Sequence, residues 1–407
     1  MASDVTIGRV DADEYADFRR VFTQTFGYSM SEEDLARIRP WQELDRAVAA
    51  RVDGRIVGTS GAYSFDLSMP GADTARCAGV TVVSVRADQR RRGVLTSMMR
   101  QLFDDADERG EPFAALWASE APIYGRFGFG PAAPGIHLEI ERANARLREP
   151  VATAEVELVD RATAAERFPP IYEAARRRRP GMLGFADTWW ERLLEDDPNH
   201  RDGAGEKRYA LLADRGFAIY RLKEGSWDGG LPDATVHVQE LIANDAEATA
   251  IMWQFVIDTD LSATTRAGRR PADDPLPLLL QDAGRAKVNA DWPLYVALVD
   301  LPTALASRGY GVDDTLTLRV HDRFRGSNDG TWRLSTNDGK AVCEAADGAA
   351  EADVELDADV LGALILGGQR ATRYAAAGRL TTTDPGGPAR LDRLFATDVA
   401  PWTGVMF

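Results

Sequence analysis

The spacing of apolar residues changes several times in the first third of the chain, and these changes predict its elements. Cys77–Val85 is a run of small and β-branched residues, which is typical of a buried strand. From residue 93 to residue 109 the apolar positions recur every three or four residues, which indicates an amphipathic helix. Phe113–Trp117 then returns to the apolar run of a strand. The pattern predicts an α/β unit over residues 1–145.

The ends of this unit carry weaker signals of the same kind. Tyr15–Phe26 is amphipathic, and Asp53-Gly54 separates the apolar runs Ala47–Val52 and Ile56–Met69, which indicates a hairpin. A short helix is predicted around Pro122–Phe127, before a stretch rich in glycine and proline.

Two further units are predicted. Residues 146–295 repeat the order of strand, glycine turn, strand and helix at Arg208–Arg221, Asp228-Gly229-Gly230, Ala234–Ile242 and Ala246–Val256. This order predicts a degenerate copy of the first unit. Residues 296–407 have an α+β pattern, with short strands at Thr315–Val320, Thr331–Ser335, Val342–Ala345 and Ala352–Leu356 and helices at Val360–Leu366, Arg370–Ala377 and Arg390–Phe395. The predicted fold class is therefore α/β (α+β) in three domains.

Composition narrows the class of protein. The 407 residues exceed what one hydrophobic core usually serves, and a formal net charge of −16 argues against nucleic acid as the main partner. The same charge favours cationic ligands, although solubility alone also explains it. No apolar run approaches the ~20 residues of a membrane span, and the acidic amino-terminus has no apolar signal core. We therefore expect a cytoplasmic protein with no membrane partner.

The metal-binding residue types are sparse. Cys77 and Cys343 fit neither a zinc spacing nor a disulfide framework, so a reducing compartment is expected. The four histidines never pair at ligand spacing, so no metal is predicted. The run Arg176–Arg179 is interpreted as a solvated helix end before Pro180, and Trp189 and Trp190 as core anchors.

A basic turn stands between the predicted strand and helix of the first unit. Arg90-Arg91-Arg92-Gly93 places forked cationic donors beside a residue without a Cβ. The helix that follows offers unpaired N–H groups and the positive end of its dipole, which together suit a pyrophosphate. A solvated charge run is the alternative, but the flanking strand and amphipathic helix favour a phosphate site.

The segment VVSVRADQRRRGVL resembles the acetyl-CoA loop of the GCN5-related N-acetyltransferases, whose pattern is Q/R-x-x-G-x-G/A. Arg90 and Gly93 fit this pattern, and Leu95 replaces its last small residue. More narrowly, the chain resembles the Eis (enhanced intracellular survival) acetyltransferases over nearly its whole length. The strings that carry this resemblance are ALWASEAPIYGRFGFGPA, RPGMLGFADTWWERLL, AIYRLKEGSWDGGLPDATVHVQELIA, DDPLPLLLQDAGR and YVALVDLPTALASRGY.

The resemblance implies two tandem acetyltransferase folds, with a catalytic domain at 1–145 and a degenerate domain at 146–295. It implies a sterol-carrier-protein-like domain at 296–407, whose carboxyl-terminus reaches the active site. It further implies a homohexamer that acetylates amines, aminoglycosides included. Since the second domain lacks the basic turn, one acetyl-CoA site per chain is expected.

Carried over residue by residue, the resemblance implies three groups of contacts with acetyl-CoA. The pantetheine and acetyl arm would pair with the strand backbone at Val83, Ser84 and Val85. The pyrophosphate would be bound by the turn and the helix start at Arg91, Arg92, Gly93, Val94, Leu95 and Thr96. Two residues at the end of the neighbouring strand, Ser119 and Glu120, would lie beside the cofactor.

The resemblance also assigns the acid and the base. Tyr124 matches the family's general acid, which would protonate the leaving thiolate, whereas the residues alone favour a core tyrosine beside Phe127 and Phe129. Phe407 matches the family's general base, the terminal α-carboxylate, carried here by the apolar ending PWTGVMF. An acidic residue near the carboxyl-terminus is expected for polyamine binding. Met406 departs from that pattern and argues against acetylation of aminoglycosides at several positions.

The leading hypothesis is an acetyl-CoA-dependent N-acetyltransferase that acts on small-molecule amines by direct attack. Two alternatives stay open at this point. One keeps the chemistry and changes the acceptor to protein lysines. The other is a non-catalytic protein that binds acyl-CoA or a lipid.

Overall fold

The computed structural model describes residues 5–71, 73–152, 154–227, 232–346 and 350–407. The chain forms two compact units, each built from more than one stretch. The first comprises Met1–Ala132, Leu294–Thr397 and Met406–Phe407, and the second Ala133–Pro293 and Asp398–Val405. The division of the sequence into three domains stays a prediction. The turn predicted at Asp228-Gly229-Gly230 lies outside the described residues.

The described helices and strands are numbered in chain order. The strands are β1 Val5–Arg9, β2 Val48–Val52, β3 Arg55–Ser68, β4 Thr74–Val85, β5 Phe113–Trp117, β6 Gly130–Glu141, β7 Glu157–Val159, β8 Leu183–Gly184, β9 Arg208–Leu212, β10 Gly216–Lys223, β11 Ala234–Ala243, β12 Ser262–Pro271, β13 Lys287–Leu298, β14 Thr315–His321, β15 Gly330–Asn337, β16 Lys340–Ala345, β17 Val354–Asp357 and β18 Leu380–Thr382. The helices are α1 Tyr15–Thr25, α2 Glu32–Ile38, α3 Val94–Glu108, α4 Arg161–Arg176, α5 Asp187–Leu194, α6 Ala246–Ile257, α7 Leu276–Leu279, α8 Leu301–Ala306, α9 Ala358–Leu364, α10 Ala371–Ala376 and α11 Gly387–Leu394.

The sheet of the first unit has the order β1, β2, β3, β4, β5 and β13. Its strands pair antiparallel except for β4 and β5, which are parallel. α3 packs its apolar stripe on one face, and α1 packs Phe18 and Val21 on a separate cluster that includes Val82. The predicted strand, helix and strand between residues 77 and 117 are confirmed as β4, α3 and β5. They form here because their apolar residues recur at the spacing that buries them against the two faces of the sheet.

The first unit also contains a smaller sheet with the order β16, β15, β14, β17 and β18. β14 pairs antiparallel with β15 and parallel with β17, and α9 follows β17 directly. The short strands and the three helices predicted for this region are confirmed to within a few residues.

A buried ion pair lies in the first unit. Arg46 is fully buried and donates to both carboxylate oxygens of Glu111, at 2.7 and 2.5 Å. Arg46 also donates to the Ser64 hydroxyl at 2.9 Å. The buried Asp105 carboxylate lies 3.7 Å from Arg46 Nε. Since neither Arg46 nor Glu111 has access to solvent, the charge of Arg46 is balanced by these two carboxylates and not by water.

We expect Glu111→Gln to lower the free energy of unfolding by about 3 kcal/mol, because it removes the nearer of the two buried carboxylates that face Arg46 and leaves only Asp105, at 3.7 Å, as its counter-charge. Urea denaturation followed by circular dichroism measures this loss. Glu108→Gln, an exposed change near the end of α3, is the matched control and should stay within about 0.5 kcal/mol of the parent. Equal stabilities for the two variants would contradict the expectation.

The second unit has the sheet order β6, β12, β11, β10, β9 and β7. β11 and β12 are parallel, and α6 follows β11, so the order of the first unit recurs. The helix predicted at Ala246–Val256 is confirmed, and Trp189 and Trp190 are buried as expected. The single strand predicted at Arg208–Arg221 is wrong. The chain turns between β9 and β10, where Ala213 has φ of 44° and the Arg215 N–H donates to the Leu212 carbonyl at 2.9 Å.

The arginine run after α4 is not simply solvated, contrary to the prediction. Arg176 is buried and bonds to Glu173 at 2.6 Å, and Arg178 donates to Asn244 at 2.7 Å. Arg179 donates to Asp273 and to the Ala400 carbonyl, both at 2.7 Å. Arg177, with 71% of its side chain exposed, and Arg178, which is also exposed, fit the prediction of a solvated helix end. Guanidinium groups satisfy such carbonyl and carboxylate oxygens because their donors are spread over a planar fork.

Among the helices in the described part of the chain, none combines the length and the apolar character of a membrane span.

Candidate active site

The central strands of the first unit separate partway along their length. β4 and β5 are hydrogen-bonded only where Cys77–Gly79 faces Phe113–Ala115. Beyond Gly79, β4 continues to Val85 with β3 as its partner among the described residues, and β5 continues with β13. The edge of β4 that includes Val83, Ser84 and Val85 is therefore open on the side away from β3. An extended ligand can pair with such an edge as an added strand.

A bulge at Val82 shapes this open edge. Val82 has φ of 47°, which is uncommon for a β-branched residue, and the pairing of β3 with β4 shifts at this point. The Thr59 hydroxyl lies 2.7 Å from both the Val82 carbonyl and the Ser84 hydroxyl and holds the bulge in place. Side chains change face across it, since Val80 packs on the α3 side and Val82 on the α1 side.

The basic turn leads from β4 into α3. Gly93 has φ of 78° and Arg91 has φ of 62°, and the side chains of Arg90, Arg91 and Arg92 are exposed. Arg92 bonds to Gln89. No side chain caps α3, and its first turn contains no acidic residue. The N–H groups of Val94, Leu95 and Thr96 thus begin the helix without a carboxylate before them. This arrangement fits an anion such as the pyrophosphate of acetyl-CoA.

The candidate acid follows β5. Ser119 and Glu120 are exposed after the strand end, and two short 3₁₀ turns then place Tyr124 at 7% exposure. Its ring meets Phe129 edge to face with centroids 6.0 Å apart, and its hydroxyl has no hydrogen-bond partner among the described residues. Burial, and secondarily the charge of Glu120, raise the pKa of Tyr124 to about 12. The phenol is therefore neutral and able to donate a proton at physiological pH.

The terminal residue lies where β4 and β5 separate. The Phe407 ring packs edge to face on Phe65 with centroids 5.0 Å apart. A Cβ at Gly79 would stand 3.3 Å from the Phe407 ring and 2.3 Å from the Phe65 ring, so only glycine leaves room there. Gly79 is also the last residue of β4 that pairs with β5. Sequence reasoning missed both Gly79 and Phe65, since nothing local marks them as neighbours of the carboxyl-terminus.

Tyr124 and Phe407 are associated with opposite faces of β4. Ala78 and Val80 belong to the same apolar cluster as Tyr124, on the α3 side. Gly79 points to the other face, because successive residues of a strand alternate, and Phe407 lies there. A ligand group that enters between β4 and β5 would therefore have Tyr124 on the α3 side of the sheet and Phe407 on the opposite side.

Within the described residues, no group of three or more His, Cys, Asp or Glu side chains could hold a metal ion.

Comparison with known families agrees with this geometry. Residues 6–132 match the family described as acetyltransferase (GNAT) domain, and residues 181–296 match a second family of the same description. Residues 301–404 match the sterol carrier protein domain family. The predicted fold class, with two tandem acetyltransferase folds followed by a sterol-carrier-like domain, is confirmed.

The chain is also similar to whole proteins of this organisation. It is 38% identical over 382 residues to an uncharacterised N-acetyltransferase of Streptomyces coelicolor, which covers 91% of both chains. It is 34% identical to N-acetyltransferase Eis of Mycobacterium tuberculosis, over 90% of this chain and 91% of that protein. The crystal structure of Eis1 from Mycobacterium abscessus superposes with a TM-score of 0.87 at 30% identity, over 99% of this chain and all of that one. The chain therefore belongs to the Eis family of GCN5-related N-acetyltransferases and is an acetyl-CoA-dependent acyltransferase.

Proposed function

We propose that this protein transfers the acetyl group of acetyl-CoA to a primary amine by direct attack, with the Phe407 carboxylate as general base and Tyr124 as general acid. The observation that carries the proposal is the packing of the terminal residue against Gly79 and Phe65, at the point where β4 and β5 separate. Chain termini are usually disordered, so the packing of Phe407 at this point supports the proposal.

The residues proposed to hold acetyl-CoA fall on both sides of the separation. When bound, the cofactor supplies an acetyl group activated as a thioester. The open edge of β4 would pair with its arm at Val83, Ser84 and Val85, and Ser119 and Glu120 would flank it after β5. The uncapped start of α3 and the basic turn would hold the pyrophosphate through Arg91, Arg92, Gly93, Val94, Leu95 and Thr96.

The base has to make the acceptor amine nucleophilic. The Phe407 carboxylate would accept the proton that the amine nitrogen loses as the new C–N bond forms. A free α-carboxyl has a pKa of about 3.3–3.7, so it is ionised at neutral pH and attracts a cationic amine to the site. The ammonium group would lose its first proton to water, which frees the nitrogen lone pair for attack, and the carboxylate would accept the second proton as the C–N bond forms. Loss of solvation in a closed site would make it a stronger base.

The acid has to help the sulfur leave. Tyr124 would give its phenolic proton to the thiolate as the C–S bond breaks, which yields the amide and free CoA thiol. The raised pKa of Tyr124, about 12, keeps that proton in place between turnovers. A new proton reaches the phenolate from water, and the base returns its proton to water, so the cycle closes.

The proposed acceptors are aminoglycoside-like polyamines or other primary amines, acetylated at one position. Met406 carries no charge and is 56% exposed, so it offers no second anchor for a polycation.

We propose that the reaction takes place in the cytoplasm, since Cys77 and Cys343 are both free thiols. The homohexamer stays a prediction from family resemblance, and light scattering after gel filtration tests it.

A panel of acceptors tests the proposed function. Thiol release from acetyl-CoA should depend on an added amine. At least one of the small amines benzylamine, spermine and kanamycin should give a faster rate than a lysine-containing peptide. Mass spectrometry should find one acetyl group on kanamycin, because the uncharged Met406 provides no second anchor to hold the polyamine in another orientation. A lysine-containing peptide is the fourth arm. Turnover with the peptide alone would reassign the enzyme to protein lysines, and amine-independent thiol release would overturn the proposal.

A further inference from the structure

The second unit contains a cavity at the place that corresponds to the gap between β4 and β5. β11 and β12 are paired in parallel only from Ala234 to Val238, and their carboxyl-terminal ends separate beyond that point. A cavity of about 220 Å³ lies between the separated ends, lined by Leu241 on one strand and by Arg270 and Pro271 on the other. The start of α6 adds Asp245 and Thr249. Separated parallel strands thus make a recess in each unit.

This recess does not suit a pyrophosphate. The Asp245 side chain caps α6 by accepting from the Ala248 N–H at 2.8 Å, so a carboxylate already occupies the helix start. Arg215 binds Asp245 at 2.6 Å, which neutralises the charge without freeing the amides. α3, in contrast, begins at Gly93 with no capping side chain. The volume is also below the roughly 300–1,000 Å³ of sites for drug-sized ligands, so an occupant has to be smaller than CoA.

The chain's own ending forms one wall of the cavity. Trp402 is 4% exposed, its indole N–H donates to the Arg269 carbonyl at 2.6 Å, and its backbone N–H donates to the Pro180 carbonyl at 2.8 Å. Met182 and Pro275 continue this apolar lining. A flat apolar body therefore finds an aromatic ring and aliphatic side chains against which to pack.

The polar part of the lining carries an excess of positive charge. Arg270 is 5% exposed and donates to Asp274 and to the Leu241 carbonyl, both at 2.8 Å. Among the described residues, its Nη2 has no hydrogen-bond partner. Arg178 donates only to the Asn244 and Ala174 oxygens and has no carboxylate partner in the described part of the chain. Asp245 and Asp274 are already paired, so Arg178 is the lining cation without a carboxylate partner among the described residues. The buried Glu240 lies close enough to Arg270 to interact with it, and burial raises the pKa of that carboxyl, which favours its neutral form.

We propose that this cavity is a binding site for a small organic carboxylate with a flat apolar body. The carboxylate would be bound by the forked donors of Arg178 and by Nη2 of Arg270, and the body would pack on Trp402. A planar carboxylate matches a guanidinium better than a neutral amide does, because both N–H···O bonds are then charge-assisted. The site is independent of the proposed acetyl transfer, because none of its lining residues belongs to the acetyl-CoA or acid–base set.

Calorimetric titration of the full chain with benzoate tests the site. Benzamide is the neutral probe of the same shape, and inorganic phosphate is the anion without an apolar body. We expect benzoate to bind at least about tenfold more tightly than either, since one charged hydrogen-bonding group and one aromatic contact are each worth about that factor. Excess CoA should leave benzoate affinity unchanged. Equal binding of benzoate and benzamide, preferential binding of phosphate, or displacement by CoA would each overturn the proposal.

Matched variants locate the binding. Arg178→Gln should weaken benzoate about tenfold, whereas Arg177→Gln, which changes the exposed neighbour paired with Glu173, should leave it unchanged. Thr249→Phe should abolish binding by filling the cavity, without touching the cationic donors. Benzoate affinity that survives Arg178→Gln or Thr249→Phe would place the ligand elsewhere and sink the assignment. Amine acetylation, measured in parallel, should proceed in all three variants, so a failure here leaves the proposed function standing.

Discussion

Extending the chain by two residues, Gly-Ser, after Phe407 should lower kcat/KM for amine acetylation by at least about a hundredfold. General base catalysis contributes roughly 10²–10⁴ to such rates, and the extension converts the Phe407 carboxylate into a peptide carbonyl that cannot accept the proton. The new carboxylate lies two residues further along the chain and is not held at Gly79 by the Phe407 ring. Steady-state thiol release at saturating acetyl-CoA measures the loss.

Three controls separate the carboxylate from the ring and from the fold. The same Gly-Ser extension before Met1 should leave turnover unchanged. Phe407→Leu keeps the carboxylate but loses the aromatic contact with Phe65, so its activity should fall by less than that of the extended chain. Acetyl-CoA affinity, measured by calorimetry, should be the same in all of these proteins. Full turnover by the carboxyl-terminally extended chain would exclude the terminal carboxylate as the base.

Replacing Tyr124 by Phe should lower kcat about a hundredfold while leaving the KM for acetyl-CoA within a fewfold of the parent. The phenol acts on the leaving sulfur and not on cofactor binding, so its loss raises the barrier of the chemical step. Tyr310→Phe is the matched control. It removes another buried hydroxyl, which donates to the Leu305 carbonyl at 2.8 Å, in the sterol-carrier-like part of the chain. The folded Tyr310→Phe protein should retain full turnover.

A change of acyl donor distinguishes an acid from a merely structural tyrosine. An acetyl thioester of an aromatic thiol has a more acidic leaving group, which needs less help from a proton donor. The ratio of parent to Tyr124→Phe rates should therefore shrink with that donor. A ratio that stays constant would assign Tyr124 a structural role.

The pH profile of the parent follows from the raised pKa of Tyr124. An acid acts only while it is protonated, and a pKa of about 12 keeps the phenol protonated at every pH below about 10. Up to pH 10, deprotonation of Tyr124 should therefore not lower the rate of the parent. Any alkaline fall in the rate of the parent in this range should also appear in the Tyr124→Phe variant. An alkaline fall centred below pH 10 and abolished by Tyr124→Phe would contradict the assignment.

Local patterns predicted most of the elements around the candidate site. The strand, basic turn and helix between residues 77 and 109 follow from hydrophobic period and from Gly93, and both are properties of a short window. The same reasoning failed at Arg208–Arg221. The tight turn at Ala213 is marked in the sequence by Asp214 and Gly216, but the apolar runs on both sides of it resemble one continuous strand. The prediction for the arginine run was incomplete for a related reason. Arg178 and Arg179 donate to oxygens of Asn244, Asp273 and Ala400, which lie far along the chain.

By itself, the sequence determined the α/β elements, the phosphate-suited turn and, through family resemblance, the choice of Tyr124 and Phe407. Only the tertiary structure decided that Phe407 packs at Gly79, that Val82 turns the open edge of β4, and that a cationic recess lies between β11 and β12. The physical reason is range. Hydrophobic period and turn chemistry act over a few residues, whereas the contact of Phe407 with Gly79 joins positions 328 residues apart and exists only once the sheet has formed.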